Sequence, residues 1–339
     1  MHNKMTMKEM AKKLNISITT VSRALNNKSD VGSETRKAVM TLAQELDYTP
    51  NKMAASLRQR RSNVIGLVLP RVEHYFFATI MKGIVSSAQK DNFAVILSES
   101  SHIPQKESEL IGRLIGMNVS GIILSPCRNE IDISYLKAMK KNNIPLILID
   151  RTPKNYQGHF VKLNDFHGAE IAVKHLLQQG YKKVAHIRGH EYSSIAEDRY
   201  HGYCHALKLN NIEYDPALVK TCEFVNKEEG YYFTKELLLS DDKPDAIFTV
   251  TDEVAIGVYK ALQELGLNIP VDIGVVGYSN SMLSNYICPR LSTIDQPGIR
   301  MGETAYEFLR CALDDEDKIK QKVFEAKLLI RESSVRKHL

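Results

Sequence analysis

MTMKEMAKKLNISITTVSRALN, residues 5–26, sets the problem. Met7, Met10, Ala11 and Leu14 recur at i, i+3, i+4 and i+7. That spacing makes one apolar stripe on a short helix, with Thr6 as its N-cap. Asn15-Ile16 breaks the stripe. Ser17 then caps a second helix, on which Val21, Ala24 and Leu25 face inward. Asn26-Asn27-Lys28 ends it, and a third helix follows Ser33, with Val39, Leu42, Ala43 and Leu46 on its apolar side. Two short helices joined by a tight turn and braced by a third read as a helix-turn-helix.

The outer face of the second helix is unusual for a helix that needs only stability, because Ser and Thr are poor interior residues. Ile18, Thr19, Ser22 and Arg23 are left outside. Short hydroxyls let a helix lie close to a phosphate backbone, and the helix N-terminus adds its own amides. Arg23 offers the planar fork suited to guanine, while Ile18 and Thr19 stand at the end that enters a major groove first. Charge agrees with this. Residues 1–61 carry 12 Lys and Arg against 5 Asp and Glu, whereas the remainder carries 33 against 35. The net charge of +5 is therefore a basic N-terminal unit on a near-neutral body, the electrostatic footprint of a nucleic-acid-binding module.

The residues from Met5 to Pro70 resemble the N-terminus of the LacI-type bacterial transcriptional repressors. The matching motifs are VSRALN at 21–26, Val31 with Thr35-Arg36, the Y-x-P-N at Tyr48 to Asn51, and AxSL at Ala54 to Leu57. The resemblance implies that Ile18, Thr19 and Arg23 read bases and that Ser17, Thr20 and Ser22 lie against phosphates. With Asn26, Ala54 and Leu57 these make the expected DNA-binding set. Residues 1–49 form the helix-turn-helix domain on this reading, and 50–63 a hinge helix and linker. A helix as short as Met53–Leu57 is marginal alone in water, so it is suited to being ordered on DNA and frayed off it. By resemblance, two such helices pair across a dimer, with Leu57 as a minor-groove wedge.

From Val64 the chain alternates short apolar runs with helical patterns. VIGLVLP (64–70), AVILSES (94–100), GIILS (121–125), PLILID (145–150), FVKLN (160–164), VAHIRG (184–189), AIFTV (246–250), GVVGYS (274–279) and LSTID (291–295) are the strands. Helices are predicted over 77–90, 105–117, 132–142, 166–179, 197–210, 227–239 and 253–265. Strand–helix alternation with apolar strands implies parallel sheets covered on both faces. So many units make two sheets, whose strand ends face each other across a cleft. No GxGxxG or GxxxxGKS follows a strand, and no nucleophile–base pattern is visible, so the expectation is no enzyme, no catalytic residue and no cofactor. Five cysteines, at 127, 204, 222, 288 and 311, show no CxxC spacing, which argues against a disulfide framework or a metal site. No apolar run is long enough for a membrane span, and the N-terminus lacks a signal-peptide core, so a cytoplasmic protein is expected.

LIDR, HGAEIAVKHLLQQGYKKVAHIRG, AEDRYHGYCHAL, EEGYYFTKELL, TDEVAIGVYKAL and LSTIDQP extend the resemblance to the family's effector domain, itself similar to periplasmic sugar-binding proteins. This implies an effector-binding and dimerisation domain over 64–339. Its N-subdomain would be 64–162 with 293–321, and its C-subdomain 163–291 with 322–339. Effector contacts are implied at Phe76, Phe77, Asp150, Arg199, Phe224, Thr251, Ser279 and Gln296. Three positions depart from the family pattern. Ser279-Asn280 stands where an acid is frequent, Thr251 where Asn is common, and Asn164-Asp165 where Asp-Asn is usual. The missing acid leads to the expectation of an anionic effector, with Arg71, His74 and His190 near the cleft mouth. The implied protein is a homodimeric repressor of a pseudo-palindromic double-stranded DNA operator, controlled by a small carbohydrate-like molecule. A purine or phosphoprotein corepressor is the alternative within the class. A transport solute-binding protein is the rival outside it, but leaves residues 1–61 unexplained.

Overall fold

The computed structural model describes residues 6–25, 28, 30–46, 62–128, 133–153, 156–240, 242–314 and 318–336. Asn26, Ala54, Leu57 and the rest of the expected hinge helix lie outside them. The chain divides into two units, Met1–Ser62 and Asn63–Leu339.

In the first unit, α1 (Met7–Lys13), α2 (Ile18–Leu25) and α3 (Ser33–Glu45) enclose a core of Met10, Ala11, Val21, Ala24, Val31, Val39 and Ala43. Met7, Leu14, Leu25 and Leu42 pack at its edge. Thr6 and Glu9 form a reciprocal capping box: the Thr6 amide donates to Glu9 Oε2 at 2.6 Å and the Glu9 amide to Thr6 Oγ1 at 3.3 Å. Asn15, at φ 53°, makes the left-handed turn between α1 and α2, a conformation Asn tolerates better than most residues. Arg36 ties the loop before α3 by donating to the carbonyls of Lys28 (2.6 Å) and Val31 (3.1 Å).

The second unit contains two six-stranded sheets. In chain order its elements begin with β1 (Val64–Leu69), α4 (Tyr75–Lys90), β2 (Ala94–Glu99), α5 (Pro104–Gly116), β3 (Gly121–Leu124), α6 (Ile133–Lys141), β4 (Leu146–Ile149) and β5 (His159–Leu163). There follow α7 (Asp165–Gln178), β6 (Val184–Arg188), α8 (Ser194–Leu209), β7 (Val219–Thr221), α9 (Lys227–Leu239), β8 (Ala246–Thr249), α10 (Asp252–Glu264), β9 (Gly274–Tyr278) and β10 (Ser292–Asp295). The chain closes with α11 (Gly298–Leu313), β11 (Gln321–Phe324) and β12 (Lys327–Leu329).

The sheet orders are β11-β5-β4-β3-β1-β2 and β12-β10-β9-β8-β6-β7, parallel except for the β10–β12 pair. The central strands are buried along their whole length, which explains their unbroken apolar runs.

Strand pairing moves two of the expected subdomain boundaries. Ser292–Asp295 is in register with β9 (Thr293 opposite Gly277), so the chain returns to the first sheet's side after Asp295, not at 293. Gln321–Phe324 pairs with β5, so the last crossing follows Phe324 instead of falling at 321–322. With the passage from β5 to α7, the chain crosses between the two halves three times. The helix α11 and the strands β7, β11 and β12 are absent from the sequence reading. Helices α9 and α10 cross at Gly230 and Gly257, where a Cβ on either would run into the other helix's backbone.

Candidate functional sites

On the first unit, the outward face of α2 carries exposed Ile18, Thr19 and Arg23 and partly exposed Ser22, opposite buried Val21 and Ala24. The hydroxyls at the helix start have a local duty as well. Ser17 Oγ accepts from the Thr20 amide at 3.0 Å and lies 2.8 Å from Thr20 Oγ1. Ser17 therefore caps α2, and Thr20 supplies the capped amide and a hydroxyl at the same amide-rich end. Arg23 is paired with Asp30 at 2.5 Å, and that carboxylate raises its pKa; sequence reasoning did not foresee this partner.

In the second unit a cavity of about 560 Å³ opens between the two sheets. Its lining includes all eight residues implied as effector contacts, together with Arg71, His74 and His190. Phe76 and Phe77 come from the first turn of α4. They are 4 % and 6 % exposed, their rings 5.6 Å apart, so they belong to the core and the cavity wall at once. Phe224 is different: at 65 % exposed it is no core residue and stands at the mouth.

Asp150 directly follows β4 in a left-handed conformation, φ 69°, and lines the cavity. It is buried, and among the described residues neither oxygen has a hydrogen bond of ordinary geometry; Arg151 Nε is 4.0 Å away, and the Ser125 side chain is near enough to favour the charged form. Burial pushes its pKa up to about 7, Arg151 opposing and Asp165 adding to the rise. Ser279 Oγ and Gln296 Nε2 are likewise buried and unpartnered. Thr251 caps α10, its Oγ1 accepting from the Val254 amide at 3.3 Å.

Arg199 is not an idle fork. Its Nε and Nη2 hold Asp165 Oδ1 at 2.8 and 2.7 Å, Nη1 donates to the Val250 carbonyl at 2.6 Å, and the guanidinium lies 3.5 Å from the Tyr278 ring centre. This explains the Asn164-Asp165 order: Asn164 caps α7 while Asp165 pairs with Arg199. Asn280, the other half of the departure at 279–280, faces away from the cavity. It donates to Asp295 at 2.8 Å and accepts from Arg331 at 2.8 Å.

The missing acid at 279 leaves no cationic cavity. Arg71, Arg151 and Arg199 line it against Glu73, Glu99, Asp150 and Glu223. Arg71 is further paired with Glu73 at 2.8 Å. His74 and His102 add no charge, because burial first and the neighbouring arginines second push both down to about 4. The sequence reading missed His102 and Arg151, which meet at 3.2 Å although 49 positions apart.

Among the described residues no group of His, Cys, Asp or Glu is arranged to hold a metal ion. No helix is long and apolar enough to cross a membrane.

Residues 6–51 match the model of the bacterial regulatory proteins of the lacI family, and 173–334 that of a periplasmic binding protein-like domain. The chain is 32 % identical to the NTD biosynthesis operon regulator NtdR of Bacillus subtilis (strain 168), over 97 % of this chain and 99 % of that protein. It is 30 % identical to the ribose operon repressor of Haemophilus influenzae, over 97 % of this chain and 98 % of the relative. Among solved structures, the lac repressor dimer bound to operator and the anti-inducer ONPF superposes with a TM-score of 0.88. That likeness is at 25 % identity and covers 98 % of this chain and 100 % of the repressor chain.

Proposed function

The chain belongs to the LacI family of bacterial regulatory proteins, and from that premise we propose a homodimeric repressor of a pseudo-palindromic operator, controlled by a neutral sugar bound between the two sheets. The observation that carries the effector is the set of buried polar groups at the cavity that lack an ordinary hydrogen bond among the described residues: both Asp150 oxygens, Ser279 Oγ and Gln296 Nε2. A buried polar atom without a partner costs about 1–3 kcal/mol, so a ligand that supplies the bond is favoured at each. A sugar presents several hydroxyls, each both donor and acceptor, and a ring face for Phe224. The balance of three guanidiniums against four carboxylates favours a neutral ring over a sugar acid or phosphate.

On the DNA side, Ile18, Thr19 and Arg23 read bases in this proposal. Ser17, Thr20, Ser22 and Asn26 lie on the backbone, and Ala54 and Leu57 sit at the operator centre. Residues 1–49 carry recognition, 50–63 the hinge, and 64–339 the effector site and dimer contact. The sugar controls affinity by binding two cleft geometries unequally, the three chain crossings serving as the pivot.

Selection of bound sequences from a random DNA library by the purified protein tests the first half; one palindrome is expected, and unrelated sequences would refute it. Calorimetric titration with D-ribose, D-glucose, D-galactose, D-glucuronate and hypoxanthine tests the second. Binding of a neutral sugar that shifts operator affinity is expected. Binding of glucuronate or hypoxanthine alone would overturn the neutral-sugar reading.

A further inference from the structure

Phe224 raises a question that the cavity alone does not answer: what holds a largely exposed aromatic ring at the mouth? Its own packing does not, because 65 % of its surface is open. The loop that carries it is fixed from below by one carboxylate. Glu229 accepts from three successive amides, Glu223 at 2.8 Å, Phe224 at 2.9 Å and Val225 at 2.8 Å. Hydrogen bonds from amides to an ionised acceptor are stronger than neutral ones. Val225 sits at φ 53°, a region β-branched residues rarely occupy, so the loop needs such an anchor.

Glu229 is the third residue of α9, where a capping box would turn its carboxylate back to the N-cap amide. Here Asn226 Oδ1 caps the helix by accepting from the Glu229 amide at 2.9 Å, and the carboxylate reaches past it into the loop. From the opposite half, Arg71 Nη1 donates to the Phe224 carbonyl at 3.5 Å.

We propose that Glu229 is a positioning residue for effector recognition: its carboxylate holds the 223–225 amides so that the Phe224 ring stands as a platform over the cavity. A ring-shaped effector with an apolar face depends on that platform; an open-chain polyol does not. The inference rests on the preceding reading that a sugar occupies this cavity.

The chain contains no Trp, so Phe224→Trp places a single fluorescent reporter at the site. In the sugar-free full-length protein, adding Glu229→Gln should lower Trp anisotropy and raise iodide quenching, with Glu229→Asp intermediate. Unchanged anisotropy and quenching would overturn the proposal whatever binds. Circular dichroism melting of each variant verifies folding, and Glu229→Asp serves if Glu229→Gln melts early. Calorimetry with the neutral sugar that binds best in the panel above should show about a tenfold affinity loss in Glu229→Gln and in Phe224→Ala, with the double variant no worse than either. Additive losses would overturn the coupling. Loss in Phe224→Ala but not in Glu229→Gln would overturn the positioning role and leave the cavity reading intact. Absence of binding by every sugar would refute the cavity reading, while the fluorescence would still decide what Glu229 does to the ring.

Discussion

Replacing Asp165 by Asn removes the only full negative charge hydrogen-bonded to Arg199 among the described residues. Both side chains are 2 % exposed, so water does not compensate. Breaking a buried ion pair by removing one partner costs about 3–5 kcal/mol. The Val250 carbonyl and the Tyr278 ring remain to Arg199 in the variant. Asn keeps one acceptor for Nε, so the lower end of that range, about 3 kcal/mol, is expected. For a domain of this size that lowers the melting temperature by about 6–12 °C.

The assay is thermal and urea unfolding followed by far-ultraviolet circular dichroism. Arg199→Met should be similarly costly, because it strands the Asp165 carboxylate. The double variant Asp165→Asn with Arg199→Met should recover most of the loss, since a neutral pair replaces the one buried, unmatched charge that each single variant leaves. If Asp165→Asn melts within about 2 °C of the parent, corresponding to under 1 kcal/mol, the pair is not the buried electrostatic anchor described. A double variant as destabilised as the sum of the singles would refute the pairing itself.

Three further outcomes follow from other parts of the molecule. Asp150, pushed up to about 7 by burial, contributes stability that is complete below its ordinary value and lost as pH rises through about 7. A sugar that donates to this carboxylate expels the proton, so affinity should rise up to about tenfold per pH unit below 7 and level off above it; flat calorimetric affinity from about pH 5 to 8 would exclude Asp150 as acceptor. Gly257→Ala pushes a methyl into the Lys227 carbonyl and the Tyr231 amide, and denaturation should show a loss of about 1–3 kcal/mol or more. Arg23→Lys keeps the charge and loses the bidentate fork. Specific operator affinity should fall about 10–100-fold with an unchanged slope against salt, and retained affinity and specificity in this charge-preserving variant would assign Arg23 to phosphate instead.

Local patterns read well where one element settles its own fate. The apolar stripes of α1 to α3, save Leu46 just past the end of α3, and the buried runs of β1, β3, β4 and β8 appear in the structure where the sequence puts them. What escaped the sequence depends on distant partners. Gly298–Leu313 carries two glycines that count against a helix, yet Gly298 and Gly302 are where α11 packs against Thr79 and Ile80 of α4. The strands β7 and β12 have three residues each, too short to show alternation, and exist because a neighbour is present to pair with. At the cavity, the eight residues implied by resemblance share one space. The groups that give them their chemistry, Asp165 under Arg199, Arg151 beside Asp150 and Glu229 below Phe224, have no local signature. Conversely, the missing acid at 279 pointed to a cationic pocket only while the paired charges around it were unknown.

The three crossings also govern how the chain can be made. Residues leave the ribosome in order, but β5 finds its outer neighbour only when Gln321–Phe324 emerges, and β10 only with Lys327–Leu329. Until then each half exposes an unpaired strand edge, a template for aggregation. Both halves therefore close only once these two strands have been made, and a chain cut short before Gln321 would yield two open sheets instead of one finished half. Abundance of this protein in the cell is for that reason expected to depend on completing Gln321–Phe324 and Lys327–Leu329.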